Sequence, residues 1–102
     1  MHEEKVLSLL GLCRRAGRLQ LGHDPAADSM RLGRARLVLV AADLSPRTAR
    51  GILQLARETG TPAVQLAATL DSLGRAVGKR TGVVAVEDRG FANKLKTLCA
   101  DT

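Results

Sequence analysis

Aromatic side chains are nearly absent: the 102 residues include one Phe, no Tyr and no Trp. Proteins that hold single-stranded nucleic acid usually stack bases on aromatic platforms. This chain has no such platform, so a nucleic-acid partner would be read through phosphates, shape or the exposed base edges of a folded strand. Cysteine is scarce as well. Cys13 and Cys99 lie 86 positions apart with no C-x-x-C pairing, which fits buried free thiols on apolar helix faces rather than a disulfide framework. His2 and His23 make no metal-ligand spacing with them, and no metal is expected. No apolar run approaches the roughly 18 residues of a membrane helix. The opening MHEEK is too acidic and polar for a signal peptide, so a cytoplasmic protein is expected, with no membrane partner.

Acid is the other shortage. Ten Asp and Glu stand against 16 Lys and Arg, for a formal charge of +6 and a pI near 10.4. In a small domain without targeting segments this favours a polyanionic partner, of which nucleic acid is the commonest. Twelve of the 16 cations are Arg, which suits bidentate phosphate or guanine contacts. Hydrophobic content of 45% and charged content of 25% are those of a globular chain. The length is that of one domain, 1–102, large enough for one core without disulfides or metals.

Catalytic constellations are missing. Gly78-Lys79-Arg80-Thr81 is not a phosphate loop: position 73 holds Leu where that pattern needs Gly, and Arg80 follows the Lys where it needs Ser or Thr. Gly-x-Gly-x-x-Gly is absent, and neither His sits beside a nucleophile. No catalytic residue, cofactor or small-molecule substrate is expected.

Periodicity and punctuation lay out the elements. Val6, Leu10 and Cys13 mark a helix over Glu3–Ala16 that ends at Gly17, and Gly11 inside it implies another element packed closely there. Arg18–Leu21 alternates as a short strand ended by Gly22. Asp24 reads as N-cap and Pro25 as first residue of a second helix running to about Leu32. Leu37–Ala42 is apolar without alternation, hence a central strand covered on both faces. Ser45-Pro46 opens a third helix to Thr59, inward through Ala49, Ile52, Leu53 and Ala56. Ala63–Leu66 is a strand. Thr69 caps a fourth helix closed by Gly78, and Val83–Val86 is the last strand. Asp88 caps a final helix with Phe91, Leu95 and Leu98 inward. Such alternation predicts an α/β domain with helices on both faces of a sheet of about four strands. The basic loop Lys79-Arg80, between a helix end and a strand start, is the leading candidate for binding. The face Arg47, Arg50, Arg57 reads more simply as solvated.

Several stretches in order carry a resemblance to a known family. They are Leu10-Gly11-Leu12-Cys13-Arg14-Arg15-Ala16-Gly17-Arg18-Leu19 with Gly22, then Gly33-Arg34-Ala35-Arg36 running into Leu37–Asp43, then Leu73-Gly74-Arg75-Ala76-Val77-Gly78, and finally Asp88-Arg89-Gly90-Phe91-Ala92. Together they resemble the kink-turn-binding ribosomal-protein superfamily of L7Ae type, most closely its bacterial YlxQ-like branch. The resemblance implies a three-layer α/β/α sandwich with a four-stranded mixed sheet. It also implies a non-enzymatic monomer that binds structured RNA, kink-turn-like or ribosomal, through Gly22–Asp28, Asp43–Arg47 and Val77–Gly82. In that reading Arg18, Arg31, Arg47, Lys79 and Arg80 contact phosphates, and Gly22 and His23 lie near the RNA backbone.

The family's Gly-x-Asn-Glu-x-x-Lys signature is altered. Counted back from Gly33, Asp24, Pro25 and Asp28 occupy the Asn, Glu and Lys positions; slid by one, His23-Asp24 stand on Asn-Glu and Ala27 replaces the Lys. Asp28 in place of Lys removes a donor and adds repulsion, and each lost base contact costs about 1–3 kcal/mol. A carboxylate cap from Asp24 would also occupy amides that a phosphate could use. Weak or absent kink-turn affinity is therefore expected. The alternative is a protein-interaction module that keeps the fold without specific RNA binding.

Overall fold

Two strands of unbroken apolar residues form the middle of the sheet. β2 (Leu37–Val40) and β4 (Val83–Val86) are buried at every position and pair antiparallel, Leu37 opposite Val86 and Val40 opposite Val83. A strand buried on both faces cannot alternate, which is why neither does. The computed structural model describes residues 2–100. Its other elements are α1 (Glu3–Arg15), β1 (Leu19–Leu21), α2 (His23–Arg31), α3 (Pro46–Thr59), β3 (Ala63–Gln65), α4 (Leu70–Val77) and α5 (Arg89–Ala100). The sheet order is β1-β4-β2-β3, with β3 parallel to β2 and β1 antiparallel to β4. It is a mixed four-stranded sheet between two helical layers, as expected.

Side chains of the central strands divide between two cores. Leu37, Leu39, Val84 and Val86 join Val6, Leu10 and Cys13 of α1, Leu73 and Val77 of α4, and Ala92 and Leu95 of α5. Val38, Val40, Val83 and Ala85 face Ala26 and Met30 of α2 and Ile52 and Ala56 of α3. Leu10, Leu37, Leu39, Leu73 and Leu95 are wholly buried, each worth about 1.5–3 kcal/mol of transfer free energy. Where α1 crosses α4, a Cβ on Gly11 would lie 2.9 Å from the Ala76 carbonyl oxygen. The close approach expected at Gly11 is therefore present.

Most helix signals act as read. Ser45 Oγ accepts from the Thr48 amide at 3.2 Å, Thr69 Oγ1 from Ser72 at 3.2 Å and Asp88 Oδ2 from Phe91 at 2.8 Å. At α1, the Gly17 amide donates to the Arg14 carbonyl and the Arg18 amide to the Cys13 carbonyl, the paired bonds of a Schellman turn.

The start of α2 is a correction. Asp24 does not cap it. The helix begins at His23, Gly22 is the N-cap residue, and no side chain caps it. Asp24 lies in the first turn with a 93% exposed side chain, and its carboxylate contacts His23 Nδ1 at 2.9 Å. Pro25 is the third helical residue. The first amides of a helix have no intrahelical partner, so a proline costs nothing there. The start is fixed by Gly22, whose φ of +100° excludes other residues. Its amide donates to the Val83 carbonyl at 2.8 Å.

Candidate nucleic-acid interface

Strand direction decides which loops meet. Leu21 stands opposite Val84, Val40 opposite Val83, and Gln65 beside Val40. The C-terminal ends of β1, β2 and β3 and the N-terminal end of β4 therefore share one edge of the sheet. From that edge α2, α3 and α4 all depart, so three helix N-termini, the ends that favour anions, open on the same side.

Specific bonds fasten the three loops at this edge. Gly22 holds β4 through Val83, and the Ala41 amide donates to the Gly82 carbonyl at 2.9 Å. The Leu70 amide donates to Asp43 Oδ1 at 2.7 Å, joining the β2–α3 loop to the start of α4. Gly82 sits between Leu44 and Leu70, where a Cβ would come within 2.7 Å of both side chains. Buried Thr81 donates its hydroxyl to the Val83 carbonyl at 2.9 Å, ordering the α4–β4 turn. That turn folds back along α4: a Cβ on Gly74 would meet Arg80 Cα at 2.8 Å, and the Arg80 guanidinium pairs with Asp71. Asp71, Gly74, Arg75, Gly78, Lys79 and Arg80 line an open groove. Arg14 of α1 donates to the Val77 carbonyl and steadies the far end of α4.

Gly22, His23, Asp24, Arg47 and Arg80 come together at this edge, with Lys79 on the returning loop beside it. Asp28 lies one turn into α2, exposed, 3.6 Å from the Arg31 guanidinium. Arg31 and Arg18 are elsewhere. Arg31 ends α2 on the far side. Arg18 precedes β1, its carbonyl accepting from the Glu87 amide at 2.8 Å beyond the other end of β4. Asp43, Leu44, Thr81 and Gly82 fall within the loop ranges that the resemblance implies, without an individual role there, and Leu70 lies outside those ranges. The glycine ahead of the apolar Val83–Val86 run was the one available signal among them.

The rest of the titratable chemistry is structural. Cys13 is buried and free, donates to the Arg18 carbonyl at 3.3 Å, and has its thiol pKa pushed up to about 11 by burial and by the nearby Asp88 and Glu87 charges. Burial also raises the pKa of half-buried Cys99. Among the described residues no three His, Cys, Asp or Glu side chains group as metal ligands, and no helix is long and apolar enough to cross a membrane.

The ribosomal protein L7Ae/L30e/S12e/Gadd45 family matches residues 4–96. RNA-binding protein YlxQ of Bacillus subtilis is 40% identical over 91 residues, spanning 88% of this chain and 90% of that protein. Large ribosomal subunit protein eL30 of Eremothecium gossypii is 31% identical over 99 residues, spanning 95% and 94%. A solved structure of a protein of unknown function from Bacillus halodurans superposes with a TM-score of 0.89 at 33% identity, covering 94% of this chain and 97% of that one. The chain therefore belongs to the ribosomal protein L7Ae/L30e/S12e/Gadd45 family, in its bacterial YlxQ-like branch.

Proposed function

We propose that this chain is a non-enzymatic, cytoplasmic RNA-binding protein of ribosomal type, which holds structured RNA at the edge formed by Gly22–Asp28, Asp43–Arg47 and Val77–Gly82. The observation that carries this reading is the fastening of each loop to a neighbouring element at this edge, Gly22 to Val83 of β4, Gly82 to Ala41 at the end of β2 and Asp43 to Leu70 of α4. Phosphates would meet the α2 and α3 N-termini and the side chains of Arg47, Lys79 and Arg80, with Gly22 and His23 against the RNA backbone. The positive φ of Gly22 supports the register in which Asp24, Pro25 and Asp28 replace the family's Asn, Glu and Lys. In that register the base-reading donors are gone, although the α2 amides are not used by an Asp24 cap. Shape and phosphate contacts then dominate, and preference for a kink-turn is small.

The test is a titration of a kink-turn RNA and of a plain RNA duplex of equal length at two salt concentrations. Binding of both with a steep salt dependence supports the reading. Absence of binding near physiological salt contradicts it and favours a protein-interaction module.

A further inference from the structure

The chain's positive excess is not at the edge just described. There Arg47, Arg75, Lys79 and Arg80 stand with Asp24, Asp28, Asp43 and Asp71, and Arg80 is already paired. The surplus lies at the opposite edge. Leu19 and Leu37 both stand opposite Val86, so the residues before them, Arg18 and Arg36, flank Glu87 on either side. The Glu87 amide donates to the Arg18 carbonyl at 2.8 Å and the Arg36 amide to the Val86 carbonyl at 2.7 Å. With strands about 4.8 Å apart, the two arginine backbones are separated by about 10 Å. Arg34 joins them from the turn after α2, its amide held by the Ser29 carbonyl at 2.9 Å.

Glu87 carries a negative charge between these arginines but forms no ion pair with them among the described residues. Its two oxygens accept from Gln20 Nε2 at 3.2 Å and from buried Ser29 Oγ at 2.6 Å. Asp88 is occupied at the start of α5. Arg18, Arg34 and Arg36 are exposed, and none forms an ion pair with a described residue. Three like charges on a short rim repel one another, offset only in part by Glu87 and Asp88.

We propose that Arg18, Arg34 and Arg36 form a second phosphate-binding surface, which takes the backbone of double-stranded RNA while the first edge holds a structured loop. This rests on the RNA reading above and adds a second contact to it. Guanidinium groups suit phosphate oxygens, and no aromatic side chain stands on this rim to select a base, so recognition is by charge and helical shape. An acidic protein would need an apolar centre to its interface. Among the described residues, Leu32, 66% exposed, is the one exposed large apolar side chain here.

The test compares wild type, R18A/R34A/R36A and R47A/K79A for binding to a plain RNA duplex and to an RNA with a structured internal loop, over a salt series. The triple variant should lose about tenfold or more in duplex affinity, and its slope against log salt should fall by about 2 to 3. Its preference for loop RNA over duplex should persist or rise. R47A/K79A should lower that preference, weakening loop RNA more than duplex. R18K/R34K/R36K should restore the salt slope. Duplex affinity unchanged in the triple variant overturns the proposal. Wild-type binding of the loop RNA without the duplex also overturns it, while leaving the first edge standing. Binding of neither RNA overturns both. Stronger competition by poly-glutamate than by duplex would assign the rim to an acidic protein and overturn it as well.

Discussion

The Leu70 amide donates to the Asp43 carboxylate at 2.7 Å, so the loop that ends β2 caps a helix 27 positions further along the chain. Asp43 is acidic and exposed at an edge proposed to bind RNA. Electrostatics alone says that removing it strengthens binding. The hydrogen bond says that removing it frees the β2–α3 loop from the start of α4. Asp43→Ala should cost about 0.5–2 kcal/mol of stability, as lost caps do, and should weaken RNA binding. Melting and RNA titration of the same variant check both, and tighter binding would show that the loops need no such tie.

Two glycines inside helices should respond in opposite directions. Gly51 in α3 has open space where a Cβ would be added, so Gly51→Ala should stabilise by about 0.5–1 kcal/mol. Gly11→Ala gains the same propensity but pushes a methyl against the Ala76 backbone oxygen. Overpacking of this kind costs about 1–3 kcal/mol, so the net change should be destabilising. Chemical denaturation of the two variants decides it.

Element types were legible because apolar spacing is local. The stripe Ala49, Ile52 and Ala56 and the unbroken runs at Leu37–Val40 and Val83–Val86 each announce themselves within one segment. The start of α2 was misread for a physical reason. Asp24-Pro25 is a strong local helix-start signal, but the Gly22–Val83 hydrogen bond and the φ of Gly22 set the entry point from outside the segment. Strand order was not legible either, since nothing in β1 says that it pairs with β4. Arg18 and Gly22, four positions apart in sequence, flank the two ends of β1 and so sit at opposite edges of the sheet whatever the strand order. The Asp43–Leu70 tie joins distant segments and carries no local signature.

Restoring the family signature tests the register. Asp24→Asn, Pro25→Glu and Asp28→Lys together should raise the preference for a kink-turn RNA over duplex by about tenfold or more, since one good base contact is worth about 1–3 kcal/mol. The Asp28–Arg31 pair lost in the process is exposed and contributes little. An unchanged preference would mean that these positions do not face the bases.

Cys13 gives the fold an alkaline limit. Its pKa is pushed up to about 11, first by burial and then by Asp88 and Glu87, whereas the unfolded thiol ionises near 8.5. The native state therefore holds the proton more tightly. The associated stability is complete below the unfolded pKa and is lost as pH rises toward the folded one. Cys13→Ser keeps a hydroxyl donor for the Arg18 carbonyl and should flatten that alkaline decline in denaturation midpoints. An equal decline in the variant would assign it to other groups.

The central claim is that one sheet edge, where three loops are fastened, holds the RNA. Backbone amide shifts during titration with an RNA carrying a structured internal loop test it most directly. The largest changes should fall at Gly22–Asp24, Asp43–Arg47 and Lys79–Gly82, with smaller ones at Arg18, Arg34 and Arg36. Changes confined to the groove between α1 and α4, around Leu7, Gly11, Leu12 and Ala76, would contradict it.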